Sequence, residues 1–490
     1  MYECLIDKLQ KIMDFIARYT LLIVFSLIFV AGLFIKAMYS FDDFPYFTFP
    51  DKYDFLAALL VLAMFAGVYW KRDWIQQHLN YQLCAVLFVL CALAYVLLVP
   101  IKPFSDMDPV YNGALHFSQF QWNEMLQDEY WEMFPGNIKL AVFWGILIIP
   151  FPKTLLTFKV WNIFFVYMIA FFARKTAKEY GVKYYNLVYL FLLSCLSLFL
   201  YINQIYFDVP VMLLCIIAVY LYKKYDNPIP SFLILGLARY LRQNVTIFVV
   251  AFVILFLFEQ CEMFRTKKWM KQLGRLAISL LLFLVVSRGL STAVQNRFIN
   301  GNFQSYPFWN QIYIGINEAE FGFMDNDFSY DRSAQDVINR VEEYGPVRMG
   351  KIILKKTFWL WSQGTYQAER YAFGGDAADW SEKFEYETIL TNHLLRDDQP
   401  LRRFINAFMR AQYFVLFGLM VLAFLKSKNT ERFRLFYYII IATFLIMLVY
   451  ELKSRYILQL LPIMAILAGT SMEKPIIKRG EARKREDDQF

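Results

Sequence analysis

The segment from Tyr19 to Met38, YTLLIVFSLIFVAGLFIKAM, contains one charged residue among twenty. A helix of about 20 apolar residues is long enough to span the hydrocarbon core of a bilayer, which is roughly 30 Å thick. Residues 1–18 are polar and amphipathic, and no small-residue cleavage site follows, so we expect a retained anchor rather than a cleaved signal. Similar apolar runs recur along most of the 490-residue chain. This pattern predicts an all-α polytopic membrane protein with about 12 transmembrane helices.

The composition agrees with this class and disfavours several others. Hydrophobic residues make up 58% of the chain, and 50 Lys and Arg against 42 Asp and Glu give a net charge of +8. In a membrane protein, Lys and Arg gather in cytoplasmic loops and fix the orientation, so this charge does not indicate nucleic-acid binding. The six cysteines fall in predicted spans or at their cytoplasmic edges, and the three histidines lie far apart. We therefore expect neither a disulfide framework nor a metal site with Cys or His spacing.

Loops rich in Lys and Arg alternate with loops poor in them when the N-terminus is placed in the cytoplasm. Basic residues follow the second predicted span at 71–72, the fourth at 174–183 and the tenth at 426–434. The positive-inside rule then places both termini in the cytoplasm of a plasma membrane. The spans are predicted at about Tyr19–Met38, Phe55–Trp70, Leu83–Pro100, Leu155–Phe172, Leu187–Tyr201, Val209–Tyr222, Leu276–Val286, Tyr413–Phe424, Phe436–Tyr450 and Tyr456–Ala468, with Phe232–Leu257 as two tilted helices that meet near the outer face.

One apolar stretch, Ile138–Ile149, is too short to cross a bilayer. Pro135 precedes it and Pro150 follows it, so we expect an interfacial helix on the outer side. Counting this stretch as a crossing would invert every later loop and move the basic cluster at 174–183 to the outside. The orientation of the remaining chain therefore depends on this helix.

These spans divide the chain into six predicted regions. The polar stretch at 291–402 is predicted to be a small extracytoplasmic domain. The regions are residues 1–100 with spans 1–3, 101–153 with the first large outer loop, 154–290 with the central helices, 291–402 with the outer domain, 403–470 with the last helices, and 471–490 as a basic cytoplasmic tail.

The first outer loop opens with two carboxylates, Asp106 and Asp108, just past the end of the third span. A carboxylate at this water interface is suited to accept a proton from an attacking hydroxyl, or to help hold a divalent cation. The same residues are also typical of a Ser/Asp turn or a helix cap. Tyr111 follows in the same loop.

Two groups of cations lie at the same predicted depth. Arg239 and Arg242 interrupt an apolar helix pair, and arginines inside membrane segments are costly and usually functional. Lys453 and Arg455 lie in a tight outer turn with Glu451, which is positioned to hold them. Arg binds phosphate through paired N–H donors. Snorkelling side chains or interfacial anchors are the alternative interpretation.

Two further side chains are weaker candidates. Asp208 lies in a very short outer turn and is equally typical of a helix cap. Lys356, with Lys355, precedes several aromatic residues of the outer domain and is predicted to reach either a phosphate or a sugar face. A surface helix is the alternative for this segment.

Taken in order, these motifs resemble the GT-C superfamily of membrane glycosyltransferases, in particular the bacterial branch related to protein O-mannosyltransferases and the lipid A aminoarabinose transferase. The resemblance covers roughly residues 103–468. It rests on Ser105-Asp106 with Tyr111, Phe134-Pro-Gly-Asn137 before the 138–149 helix, Ala238-Arg239-Tyr-Leu-Arg242-Gln, Pro307-Phe-Trp309 with Ile314-Gly-Ile-Asn317 and Gly322-Phe, and Glu451-Leu-Lys-Ser-Arg455-Tyr456 with Pro462. Two spans before the acidic loop depart from the family pattern.

The resemblance implies an enzyme that moves a hexose or pentose from a polyprenyl-phosphate donor to an acceptor hydroxyl on the extracytoplasmic face. The acceptor would be a glycan, lipid or protein, as in cell-envelope polysaccharide, teichoic acid or glycolipid modification. Asp106 or Asp108 would be the catalytic base, and both stay open as ligands of a divalent metal ion because the family's usual acidic motif differs. Arg239, Arg242, Lys453 and Arg455 would bind the donor phosphate, with Tyr111, Asp208, Glu451 and Lys356 in support.

Two other classes have a comparable number of spans. A flippase or transporter of lipid-linked sugars predicts polar residues deep in several spans and often inverted repeats, neither of which is clear here. A polysaccharide polymerase or ligase also combines about a dozen spans with a large outer loop. A labelled polyprenyl-phosphate monosaccharide distinguishes them, because a polymerase ignores it and a flippase moves it without transfer.

Overall fold

The computed structural model describes most of the chain. The described residues are 2–39, 45–225, 227–259, 268–298, 308–323, 329, 331–373, 381–396, 399–426 and 431–473. The predicted basic tail lies almost entirely outside them, as do Arg265, Lys267 and Pro307.

Helices dominate the described residues. In chain order they are α1 Tyr2–Phe34, α2 Lys52–Trp70, α3 Arg72–His78, α4 Tyr81–Leu98, α5 Met107–Ser118, α6 Trp122–Met125, α7 Tyr130–Met133, α8 Ile138–Ile148, α9 Leu155–Glu179, α10 Tyr185–Ser194, α11 Leu196–Leu200, α12 Asp208–Tyr225, α13 Pro228–Leu241, α14 Thr246–Glu259, α15 Lys268–Phe298, α16 Phe308–Gly315, α17 Ala334–Ser362, α18 Ala368–Phe373, α19 Pro400–Lys426, α20 Arg434–Met447 and α21 Leu461–Ser471. Two short antiparallel strands, β1 Lys36–Tyr39 and β2 Pro45–Thr48, pair with Ala37 opposite Phe47.

Six described helices are long and apolar enough to span a bilayer, or seven if one broken pair counts as a single span. The predicted number of about twelve is therefore not confirmed. The six are Lys8–Phe34, Lys52–Trp70, Tyr81–Leu98, Leu155–Glu179, Trp269–Phe298 and Pro400–Lys426, and the broken pair is Tyr185–Ser194 with Leu196–Asn203, which meet at 50°.

Two predicted spans differ from the observed elements. The first was predicted to reach Met38, but its helix ends at Phe34 and the chain turns into β1. Lys36, two residues past this end, forms an ion pair with Asp54, with 2.8 Å between Nζ and Oδ2. Asp54 also pairs with Arg410, with 3.0 Å between Oδ1 and Nη1. The fifth predicted span is broken after Ser194, where Cys195 adopts an extended backbone with ψ 105°.

The central segment forms two helices, as predicted, whereas their predicted tilt and their position near the outer face stay predictions. Asn227 caps α13 by accepting the N–H of Ile229, and Pro228 occupies the first helical position, where its missing N–H costs nothing. The helix ends at Arg242, whose backbone is extended at φ −146° and ψ 126°. A short 3₁₀ turn then leads into α14. This break places Arg242 between two helices rather than inside one.

The outermost described helices are apolar but poorly covered by protein. In the most apolar windows of α2, α4 and α15, only 11%, 17% and 17% of the residues are buried, and Leu59 is 68% exposed. By contrast, nearly every residue of α21 is buried. Such a wide apolar surface is stable in contact with lipid rather than water. The chain is therefore an all-α membrane protein.

The two ends of the helix bundle differ in the residues that they carry. At one end, Lys183 Nζ lies 3.0 Å from Asp73, Arg432 donates to the carbonyl of Tyr180, and Lys426 donates to Ser471 at 2.7 Å. The basic loops that the charge pattern assigns to one face thus meet in space. The opposite end carries the helix breaks that precede α5, α12, α14 and α21.

The predicted outer-domain stretch forms several helices within the described residues. It begins inside α15, which continues to Phe298, and α17 is broken at Gly345, where φ is 63° ahead of Pro346. Glycine accepts this left-handed backbone at little steric cost. The α8 helix, 138–148, is short as predicted.

Candidate active site

A cavity of about 580 Å³ lies at the end of the bundle that carries the helix breaks. Its wall comes from separate parts of the chain, namely the residues before α5, the segment before α8, the turn before α12, the α13–α14 break, α16, α18 and the turn after α20. Asp106, Arg242, Glu451, Lys453 and Arg455, all predicted site residues, line it together. Because these residues lie far apart in sequence, their meeting is a property of the fold.

Asp106 is fixed at the cavity wall by its neighbours. Ser105 before it has φ 51°, an unusual backbone for a residue with a side chain. Tyr206 Oη donates to Asp106 Oδ2 at 3.3 Å, and Asn137 Nδ2 donates to the same Tyr206 oxygen at 3.0 Å. Burial, and then the Asp106 carboxylate, raise the pKa of Tyr206, so its hydroxyl stays protonated and able to donate. Asp106 thus presents a carboxylate that is held from one side and open to the cavity.

Arg242 forms a buried pair behind the cavity wall. Its Nη1 lies 2.9 Å from Asp208 Oδ1, and Gln204 Nε2 donates to the other Asp208 oxygen at 2.8 Å. The guanidinium also lies over the rings of Phe207 and Tyr456, with 4.7 Å and 4.9 Å from its carbon to the ring centres. Its Nη2 is buried and has no hydrogen-bond partner among the described residues. A buried donor without a partner is costly, and more so when it is charged.

The turn after α20 supplies the remaining predicted cations. Lys453 Nζ lies 2.7 Å from Glu451 Oε1, and Tyr456 Oη donates to Glu451 Oε2 at 2.5 Å. Burial raises the pKa of Glu451, but the Lys453 ammonium and the Tyr456 hydroxyl outweigh it and hold that pKa below its usual value. Glu451 therefore stays ionised and fixes the turn.

Arg455 resembles Arg242 in its surroundings. It is 9% exposed, its Nη1 donates to Tyr371 Oη at 2.6 Å, and its carbon lies 5.6 Å from the ring centre of Tyr206. Its Nε is buried and lacks a hydrogen-bond partner within the described part of the chain. Tyr206 therefore touches both Asp106 and Arg455, and it connects the acidic side of the cavity to the basic side.

The charges that line the cavity favour an anionic ligand. Its cations are Lys139, Arg242, Arg370, Lys453 and Arg455, and its carboxylates are Asp106, Glu320 and Glu451. Even when Asp208, which pairs with Arg242 from outside the lining, is counted with the carboxylates, the cations are in excess. A phosphate would supply the acceptors that Arg242 Nη2 and Arg455 Nε lack.

Lys356 lies behind the cavity rather than in its wall. It is fully buried, and its Nζ donates to the carbonyls of Gly315, at 2.6 Å, and of Tyr450. A Cβ on Gly315 would lie 2.2 Å from the Val449 carbonyl, so α16 and the turn after α20 cross without space for a side chain. Burial, partly offset by Glu451, lowers the pKa of Lys356 to about 7. Its observed contacts are with backbone carbonyls, not with the cavity.

Four other predicted residues do not line the cavity. Asp108 is exposed on α5, where it accepts from Asn112 at 3.2 Å. Tyr111 packs against Phe158 with 5.0 Å between ring centres. Arg239 donates to Thr246 Oγ1 at 3.2 Å on the other side of the α13–α14 break. Asp208 is also outside the lining, but it reaches the site through Arg242.

Sequence reasoning missed several lining residues. Asn137 ends the quoted Phe134–Asn137 motif and Tyr206 stands two positions before Asp208, but neither residue was given a role of its own. Gln367 lies in a turn with two left-handed residues, Tyr366 at φ 57° and Gln367 at φ 62°, and Arg370 and Tyr371 lie in α18, which follows this turn. Such backbone strain often occurs at functional sites. The sequence predicts a left-handed backbone mainly at glycine, so it gives no signal at Tyr366 and Gln367.

The described residues contain no group of three or more His, Cys, Asp or Glu side chains placed to hold a metal ion. Asp106 and Asp108, the predicted pair of ligands, do not face the cavity together. Comparison of the chain with known protein families, with curated proteins and with solved structures finds no match.

Proposed function

We propose that the chain is an integral membrane glycosyltransferase of the GT-C type, which transfers a sugar from a polyprenyl-phosphate donor to an acceptor hydroxyl. One observation carries this proposal. A carboxylate, Asp106, and two buried arginines with unpartnered donors, Arg242 and Arg455, line one cavity at one end of a membrane bundle. A base and a phosphate-binding pair are what this transfer requires.

The donor phosphate lies between the two arginines. Arg242 and Arg455 both lie against the Tyr456 ring, with their guanidinium carbons 4.9 Å and 5.9 Å from the ring centre. Lys453 adds a third positive charge on the same turn. The polyprenyl chain of the donor leaves the cavity sideways among the apolar helices, where lipid is its natural solvent.

The reaction forms one bond and breaks one. The acceptor hydroxyl oxygen attacks the anomeric carbon, and the bond from that carbon to the phosphate oxygen breaks with its electron pair on phosphate. Asp106 takes the hydroxyl proton and later releases it to water. The arginines stabilise the charge that grows on the leaving phosphate. Attack from the face opposite the phosphate inverts the anomeric carbon.

The cavity is assigned to the extracytoplasmic face of the plasma membrane. It lies opposite the end where the basic loops at 71–72, 174–183 and 426–434 gather, and such loops are typical of the cytoplasmic side. Sugar nucleotides are absent outside the membrane, so a lipid-linked donor suits this placement. The acceptor is then a glycan, lipid or protein of the cell envelope.

A transfer assay with the purified chain in liposomes tests the proposal. Radiolabelled polyprenyl-phosphate hexoses and pentoses are supplied singly, with cell-envelope extract as the source of acceptor. We expect label to pass into extract material from at least one donor. Movement of the intact donor across the bilayer without transfer would support the flippase alternative, and no use of any monosaccharide donor would contradict the proposal.

A further inference from the structure

Arg239 belongs to a second group of cations, which begins at the cavity wall and extends away from the cavity. Its charge interacts with those of Lys139, at the start of α8, and Arg288, in α15. Tyr240 Oη donates to the carbonyl of Lys139 at 3.3 Å, which joins α13 to α8. Arg239 also lies over the ring of Phe283 at 5.9 Å, which joins it to α15. We call Lys139, Arg239 and Arg288 the lateral basic row.

The row is held together by close helix packing. A Cβ on Gly236 would lie 3.1 Å from both the Phe283 carbonyl oxygen and a Val286 carbon, so α13 and α15 nearly touch there. At its far end, α15 is anchored by Phe298 against Phe117, with 5.9 Å between ring centres. These contacts bring together the three helices, α8, α13 and α15, that carry the cations.

The three cations repel one another, and within the described part of the chain they have no anionic partner. Arg288 and Arg239 are near enough for their charges to interact, and so are Arg239 and Lys139. Burial, and then the charge of Arg239, lower the pKa of Lys139 to about 8. None of the three forms an ion pair with a described residue, and of their side chains only Arg239 makes a hydrogen bond, to Thr246. A fold that holds like charges together at a membrane surface is stabilised by an anion among them.

The position of the row identifies the kind of anion. Lys139 lines the cavity, whereas Arg288 is exposed on α15 beside the apolar side chains of Leu284 and Val285, which are 43% and 57% exposed. The row therefore runs from the cavity to the lipid-facing surface. An anion at that depth with an apolar chain beside it is the phosphate of a lipid.

We infer that the lateral basic row is a second phosphate site, which binds the phosphate of a membrane lipid next to the cavity. Two lipids share this chemistry, the polyprenyl-phosphate donor on its way to Arg242 and an ordinary anionic phospholipid. The donor case rests on the proposed function, whereas the phospholipid case does not.

Lipid binding to the purified full-length chain, measured by native mass spectrometry, tests the inference. The probes are polyprenyl phosphate, phosphatidylglycerol and inorganic phosphate at matched concentrations. In the double variant R239Q/R288Q we expect lipid affinity to fall about fivefold per cation, or about thirtyfold in total. The matched control is R297Q, which removes an exposed cation of the same helix that stacks on Trp122 outside the row.

The outcomes separate the two sources and the two proposals. If R239Q/R288Q loses binding of polyprenyl phosphate alone, the row is part of the donor's path. If the variant loses binding of phosphatidylglycerol, with or without loss of polyprenyl phosphate, the row is a general site for lipid phosphate. Unchanged binding of both lipids, an equal loss in R297Q, or equally strong binding of inorganic phosphate would overturn the inference. A chain that binds lipid at the row but transfers no sugar would overturn only the proposed function.

Discussion

Two arginine–aspartate pairs lie at opposite ends of the bundle and differ in how completely they are satisfied. Arg434 contacts Asp14 through Nε at 2.9 Å and Nη2 at 2.8 Å, and Tyr438 Oη donates to the same carboxylate at 2.8 Å. Arg242 contacts Asp208 through Nη1 alone, and its Nη2 has no partner in the described residues. Yet the second pair is the more deeply buried, with side-chain exposures of 6% and 1% against 14% and 10%.

This difference separates a structural pair from a site. A buried pair contributes to stability only when its geometry is good and its remaining donors are satisfied. The Arg434 pair meets this condition, whereas the Arg242 pair keeps a charged donor unused beside a cavity. The structural pair should therefore affect stability when it is broken, and the cavity pair should affect ligand binding as well.

The largest expected effect is a difference in transfer between variants of two carboxylates, Asp106 at the cavity end and Asp14 at the opposite end. Asp106→Asn removes the proton acceptor, and we expect transfer to fall about a thousandfold, within the usual range for a general base. Asp14→Asn should instead leave transfer intact and lower the free energy of unfolding by on the order of 2 kcal/mol. The measurements are transfer of radiolabelled sugar and thermal unfolding of both variants.

Asp108→Asn tests the choice of base within the same assay. Asp108 is exposed and outside the cavity, so most activity should remain. Full activity of the Asp106 variant with loss in the Asp108 variant would reverse the assignment. Full activity in both would remove general-base catalysis by this loop from the mechanism.

The second prediction compares the two arginines directly. Arg242→Gln should lower kcat/KM about a hundredfold, because a charged contact to the leaving phosphate is lost, and should cost about 3–5 kcal/mol by stranding Asp208. Arg434→Gln should lower stability with little change in kcat/KM. Steady-state kinetics and chemical denaturation measure the two effects separately.

The double variant R242Q/D208N isolates the ligand effect from the stability effect. With both charges removed, the stranded carboxylate is gone and much of the stability should return, while transfer should stay low. If activity returned together with stability, Arg242 would be a structural residue like Arg434, and the contrast between the two ends would disappear.

The sequence predicted much of this arrangement because charge marks the ends of membrane helices. Asp106, Arg242 and Arg455 were assigned to one face from the alternation of basic loops, with Ile138–Ile149 taken as an interfacial helix, and the fold brings all three to one cavity. The pairing of Arg242 with Asp208 was not predictable, because it depends on the break at 242 facing the start of α12. Tyr206 was missed for the same reason, since its role comes only from contact with Asp106.

The number of spans shows a second limit of sequence reasoning. Apolar runs such as Phe436–Tyr450 were counted as crossings, yet the helix there, α20, has 14 residues, too few to span the bilayer without tilt or bilayer thinning. An apolar run indicates that a segment is shielded from water, but the run has the same composition whether protein or lipid shields it. Ile138–Ile149 was recognised as short because flanking prolines mark its bounds and because the basic cluster at 174–183 required it not to cross.

The smallest expected effect concerns Lys356, which supports the cavity end from behind. Because its pKa is lowered to about 7 in the folded chain and is near 10.5 when unfolded, the unfolded state holds one more proton between these pH values. Stability should therefore rise with pH from about 7 towards 10. In Lys356→Met this contribution is absent, so thermal unfolding measured between pH 7 and 9 should depend less on pH than in the parent chain. An equal slope in both chains would mean that Lys356 keeps its charge in the fold and binds the Gly315 and Tyr450 carbonyls as a full ammonium.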